Sequence, residues 1–118
     1  MLAGAIIIAM VFSIYTHNLY KKGRSISFTY MGMAVKKKGD CVKAIEYFSM
    51  AIEANPKDHV AYILLGDCYL KLNREDLAME EYKISYSLIE KSSDIVHIYD
   101  RKVLEKKIQN LRNKQSGQ

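Results

Sequence analysis

The sequence predicts an all-α protein: two stacked helix–turn–helix units with a C-terminal capping helix, preceded by one long apolar helix. Three observations carry this. A set of residue types recurs in order at a separation of 34 positions, which marks stacked supersecondary units. The chain has one proline and six glycines in 118 residues, too few for a loop-rich or disordered polymer. Residues 2–20 form a run without Asp, Glu, Lys or Arg, almost wholly apolar as far as Ile14.

That run comes first. Residues 2–14 are almost wholly apolar, with Ser13 the only hydroxyl; Tyr15 to Tyr20 follow, then Lys21-Lys22-Gly23-Arg24. As a helix, about 19 residues rising ~1.5 Å each reach ~28 Å, near the hydrocarbon thickness of a bilayer. The tyrosines suit headgroup depth and the basic group suits a cytoplasmic edge. Residues 1–22 are therefore expected as a single-pass anchor, with the rest in the cytoplasm. Two other readings stand beside it. One is a cleaved signal peptide, although no basic residue precedes the run and no small-x-small site follows it. The other is a soluble apolar arm packed on the rest of the chain.

Residues 25–92 hold the repeats, 25–58 and 59–92. Phe28 matches Tyr62, Met31 matches Leu65, Gly32 matches Gly66, and Val35 matches Tyr69. Ala44 matches Ala78, Phe48 matches Tyr82, and Ala51 matches Ser85; Pro56 against Glu90 breaks the series. Apolar residues within each unit keep helical spacing, as in Ile45, Phe48 and Ile52. Gly39-Asp40 and Asn73-Arg74 divide each unit into two helices. Asn55-Pro56 ends the first unit, and Asp58 is expected to cap the next helix.

Glycine in a helix interior costs about 1 kcal/mol relative to alanine. Gly32 and Gly66 imply a close helix crossing that needs the missing side chain's space. Ala44 and Ala78 answer from the facing helix, with Phe48 and Tyr82 beside them.

These residues resemble the tetratricopeptide repeat (TPR) family. Its pattern has a large residue, Leu-Gly and Tyr in the first helix, then Ala-x3-Phe-x2-Ala in the second and a final Pro. Here the first unit supplies Phe28, Met31-Gly32, Val35, Ala44, Phe48, Ala51 and Pro56. The second supplies Tyr62, Leu65-Gly66, Tyr69, Ala78, Tyr82 and Ser85. The likeness covers residues 25–92.

Residues 93–113 are expected as the capping helix. The 34-residue register carries Tyr62, Leu65 and Tyr69 onto Val96, Tyr99 and Val103, all apolar, while Gly66 falls on Asp100. The core face is thus expected to persist without a close crossing, so that Asp100 should tolerate replacement. Leu104, Ile108 and Leu111 continue an apolar stripe, which packs on the second repeat or forms a self-association seam. Residues 114–118 are expected as a flexible tail.

The resemblance implies a concave groove, lined by the first helices of successive repeats, that holds a peptide or amphipathic helix. Its expected lining is Ile26, Thr29, Tyr30, Met33 and Lys37 from the first repeat and Val60, Ile63, Leu64, Asp67 and Lys71 from the second. His97, Ile98 and Arg101 complete it from the cap. One TPR subclass grips the C-terminal carboxylate of chaperones with Lys and Asn. Thr29, Met33 and Leu64 stand at those places, so that likeness fails.

Charge and motifs narrow the function class. The formal net charge is +5, and twelve of the eighteen Lys and Arg residues fall in three groups: Lys21, Lys22, Arg24; Lys36, Lys37, Lys38; and Arg101, Lys102, Lys106, Lys107, Arg112, Lys114. No aromatic residues interleave to stack bases, so nucleic acid is not expected as a partner. Cys41 and Cys68 form no CxxC pair; Cys68 reads as a buried thiol, and Cys41, after a turn, is expected to be partly exposed. No HExxH, phosphate-binding glycine loop or nucleophile elbow occurs, and no metal or cofactor site is expected. The expected function is a non-enzymatic, membrane-anchored adaptor that holds a protein partner in its groove and assists complex assembly. The alternatives are a chaperone-like protein whose own arm fills the groove, and a structural homo-oligomer.

Overall fold

The computed structural model describes residues 1–117. Among the described residues there are five α-helices and no strand: α1 Leu2–Lys37, α2 Cys41–Ala54, α3 His59–Lys71, α4 Glu75–Ile89 and α5 Ile95–Ser116. α1 pairs with α2 and α3 pairs with α4; α2 packs on α3, and α4 packs on α5.

The turns fall where the sequence places them. Among the described residues the two positive-φ positions are Gly39 (φ 92°) and Asn73 (φ 56°), 34 residues apart. Glycine and asparagine are the residues that reach the left-handed region at least cost. The Asp40 carboxylate accepts from the Lys43 N–H (3.0 Å) and Asp58 from the Ala61 N–H (3.2 Å), capping α2 and α3. Asp58 also accepts from the Ser25 and Thr29 hydroxyls (2.8 and 3.1 Å), tying the start of α3 to α1.

Each hairpin closes by an aromatic ring laid over a glycine. A Cβ on Gly32 would stand 2.5 Å from Phe48 Cε1, and one on Gly66 would stand 2.6 Å from Tyr82 Cε1. Phe48, Tyr82, Ala44 and Ala78 are fully buried. One further contact repeats with its chemistry reversed. The Ser25 hydroxyl, its one proton shared with Asp58, reaches the Ala51 carbonyl (2.9 Å), and the Ser85 hydroxyl donates to the His59 carbonyl (2.9 Å). Residues 25 and 59, like 51 and 85, are 34 apart, so donor and acceptor have exchanged helices while the contact stays.

No turn separates the apolar run from residues 25–37: α1 continues through Lys21–Arg24. Gly23 alone is too weak to break it, and the Arg24 guanidinium lies over Tyr20 and Phe28 (5.7 and 5.5 Å), four residues to either side. Nor does the apolar segment lie in a groove of its own chain, because residues 1–24 are all exposed. Finally, α5 turns a different stripe inward. Leu104, Ile108 and Leu111 join the core around Tyr82, whereas Val96 and Tyr99 are 67% and 69% exposed. In α3 the equivalent positions, Tyr62 and Leu65, have neighbouring helices to meet. Beyond α5 no further helix follows among the described residues.

Cys41 is buried beside Cys68 in the core around Phe48, against the expected partial exposure. Burial, reinforced by the Cys41 thiol, pushes the Cys68 pKa up to about 12. Both thiols are expected to resist maleimide in the folded protein and to react only as fast as it unfolds, as mass spectrometry over a denaturant series will show.

The glycine crossings give a sharper test. Gly32→Ala should cost about 1–3 kcal/mol, since the methyl group must displace the Phe48 ring. Gly23→Ala meets nothing within 4 Å. It should be neutral or stabilising by up to about 1 kcal/mol. Urea melts of the two variants in detergent measure both.

Candidate functional site: a groove between α1 and α3 and a cleft beneath the helix ends

Part of the expected lining converges. Tyr30, Met33, Ala34 and Lys37 follow one another at helical spacing on α1, and Leu64 and Lys71 face them from α3. With Lys36 they bound a shallow groove of about 510 Å³. Tyr30 is 67% exposed and Met33 42%, so apolar surface stands open there. Lysines rim it. Lys36 reaches Asp67 at 3.7 Å, whereas Lys37 and Lys71 are exposed.

The rest of the expected lining lies elsewhere. Thr29 is buried, its hydroxyl turned to Asp58, so it faces the helix packing and not a ligand. Val60 is exposed, while Ile63 is half-buried against the core around Tyr82. Ile26 and His97 line a separate cleft. Ile98 is half-buried, and the Arg101 guanidinium donates to the Glu90 carbonyl (2.5 Å).

Asp67 serves the fold more than the groove. It accepts from the Tyr82 hydroxyl (2.5 Å) and from Lys107 Nζ (2.7 Å), and it joins Lys36, so one carboxylate links α1, α3, α4 and α5. Burial first, then the bond to Asp67, holds the Tyr82 phenol protonated far above its usual range.

The separate cleft, of about 820 Å³, was not legible in the sequence. It opens between α1 at Asn18, Lys21 and Lys22, the α2–α3 connection at Pro56 and Lys57, and the neighbouring ends of α4 and α5. Its wall carries two histidines in edge-to-face contact, His59 and His97, with ring centres 4.8 Å apart. His59 Nε2 lies 2.8 Å from Asp100 Oδ2, and His97 Nδ1 lies 2.7 Å from Ser92 Oγ. Asp100 therefore fills a structural role, which corrects the expectation that it is freely replaceable. The carboxylate holds His59 and not the serine-bonded His97, so these four side chains do not line up as a nucleophile, base and acid. Among the described residues no three His, Cys, Asp or Glu side chains gather to hold a metal. The pairing spans 41 residues and depends on where α5 docks, so no local signal foretold it.

The chain matches no known protein-family model and no curated protein sequence.

Asp100→Leu should lower the melting temperature, by about 1–3 kcal/mol of stability, because His59 loses its partner while half-buried. Tyr99→Leu, one residue away on the exposed side, should leave it within about 0.5 kcal/mol of wild type. Thermal melts followed by circular dichroism measure both.

Proposed function

We propose that this is a membrane-anchored adaptor of the tetratricopeptide repeat type, holding an amphipathic helix or apolar peptide in the groove between α1 and α3. The observation that carries the reading is one helix with two surfaces. The apolar half of α1 is long enough to cross a membrane and is wholly unburied, and its other half forms one wall of the open groove. A helix apolar on every side and exposed on every side suits lipid, not water.

The repeat architecture is supported by the matched crossings at Gly32–Phe48 and Gly66–Tyr82 and by the matched turns at Gly39 and Asn73. The groove's chemistry narrows the partner. Tyr30, Met33 and Leu64 offer apolar contact, and Lys37 and Lys71 offer charge at the rim, which fits a peptide with an apolar face and acidic flanks. Lys21, Lys22 and Arg24, at the end of the apolar run, favour an orientation with the repeats in the cytoplasm. No catalytic residue, metal or cofactor enters this reading, nor does nucleic acid. A homo-oligomer remains the second reading, because an exposed apolar groove also accepts a copy of the same chain.

The test uses full-length protein. It should stay in the membrane pellet after alkaline carbonate, and extraction into the supernatant would contradict the anchor. Tyr30→Glu with Met33→Glu changes two exposed side chains and should leave the melting temperature unchanged. Partner recovery after crosslinking in intact membranes should fall about tenfold or more. Full recovery by the folded double variant would place binding on another surface.

A further inference from the structure

The cleft beneath the helix ends brings Asn18, Lys21 and Lys22 of α1 together with Pro56 and Lys57 of the α2–α3 connection, the end of α4 and His97 of α5. These loops therefore sit level with the last residues of the apolar run. If residues 2–20 span a bilayer, that end of the helical domain stands at headgroup depth.

What the domain exposes at this end suits such a position. The first turns of α5 present Ile95, Val96 and Tyr99, between 67% and 83% exposed, with no neighbouring helix over them. Exposed cations stand around this apolar edge: Lys57 on the α2–α3 connection, Lys91 on the turn before α5, and Lys21 and Lys22 on α1. Aliphatic and tyrosine side chains beside lysines are the mixture that interfacial segments use on anionic lipid. The acidic neighbours Glu53, Glu90 and Asp94 limit the net charge, so insertion of the apolar edge supplies the grip and the lysines bias it toward anionic lipid.

We infer that the end of the helical domain formed by the α2–α3 connection and the start of α5 is a second membrane-contacting surface. Val96 and Tyr99 insert into the anionic leaflet from which α1 emerges. The domain would thus be held upright at two points, with its groove at a fixed height and orientation, and not swinging on a single tether. The inference rests on residues 2–20 being the anchor.

The chain has no tryptophan, so a single introduced one reports its own surroundings. Three full-length variants are reconstituted in phosphatidylcholine–phosphatidylglycerol vesicles, with and without brominated acyl chains. Phe12→Trp reads the anchor, Val96→Trp reads the proposed contact, and Leu72→Trp, in the turn at the far end of α3, reads solvent. Phe12→Trp and Val96→Trp should both emit to the blue and lose emission in brominated lipid, while Leu72→Trp should do neither. Loss at Val96 should weaken with Lys57→Glu and in vesicles of phosphatidylcholine alone. Quenching at Phe12 with none at Val96 overturns this inference and leaves the anchor intact. No quenching at Phe12 overturns the anchor itself. A blue-shifted but unquenched Val96→Trp shows that protein, such as a second copy, covers this edge, and overturns the lipid contact.

Discussion

An aromatic ring pressed against a helical glycine sets the distance between the paired helices, and most of the structure follows from that distance. Phe48 occupies the space over Gly32, and Tyr82 occupies the space over Gly66. Burying each ring contributes on the order of 1.5–3 kcal/mol, more than the roughly 1 kcal/mol that glycine costs a helix interior. The balance favours the crossing only while no Cβ intervenes. Ala44 and Ala78 keep the facing helices equally close. Once the two pairs are set, the core around Phe48 meets the core around Tyr82 through Tyr69, which packs on both.

The same crossing reaches the groove. Gly32 stands between Met31 and Met33 on α1, with Phe48 drawing one face of the helix inward and leaving Tyr30 and Met33 on the other. Tyr82, held over Gly66, also places its hydroxyl on Asp67, and Asp67 in turn gathers Lys36 and Lys107. Packing and surface charge are thus coupled through one side chain. Because α1 is uninterrupted, whatever fixes its second half also fixes the direction in which its apolar half leaves the domain.

The helical class and the turns at Gly39 and Asn73 were legible because they rest on local signals. Gly39 and Asn73 are the residues a left-handed turn requires, and the 34-residue spacing of Gly and aromatic residues survives in the contacts themselves. The misplacements share one cause, which is dependence on where a distant element docks. Thr29 reads as a groove residue until Asp58 claims its hydroxyl. Val96 and Tyr99 keep the apolar register but find no helix to bury them, while Asp100 finds His59. Lys21–Arg24 looks like a boundary, yet its glycine is not enough to end a helix whose flanking side chains stack across it. Of the thirteen residues expected to line one groove, five meet between α1 and α3; the cleft had no signal, since it forms from three chain segments that share no pattern.

Glycine and aromatic ring act as one unit at each crossing, and a double-mutant cycle between Gly66→Ala and Tyr82→Leu in detergent-solubilised full-length protein measures their coupling. If the added methyl group is costly because it strikes the ring, its penalty should largely vanish once the ring is gone. The coupling should then be about 1 kcal/mol or more, as for side chains in direct contact. Strictly additive losses would show that Gly66 serves something other than the Tyr82 crossing, and would contradict the account of how the hairpins are held.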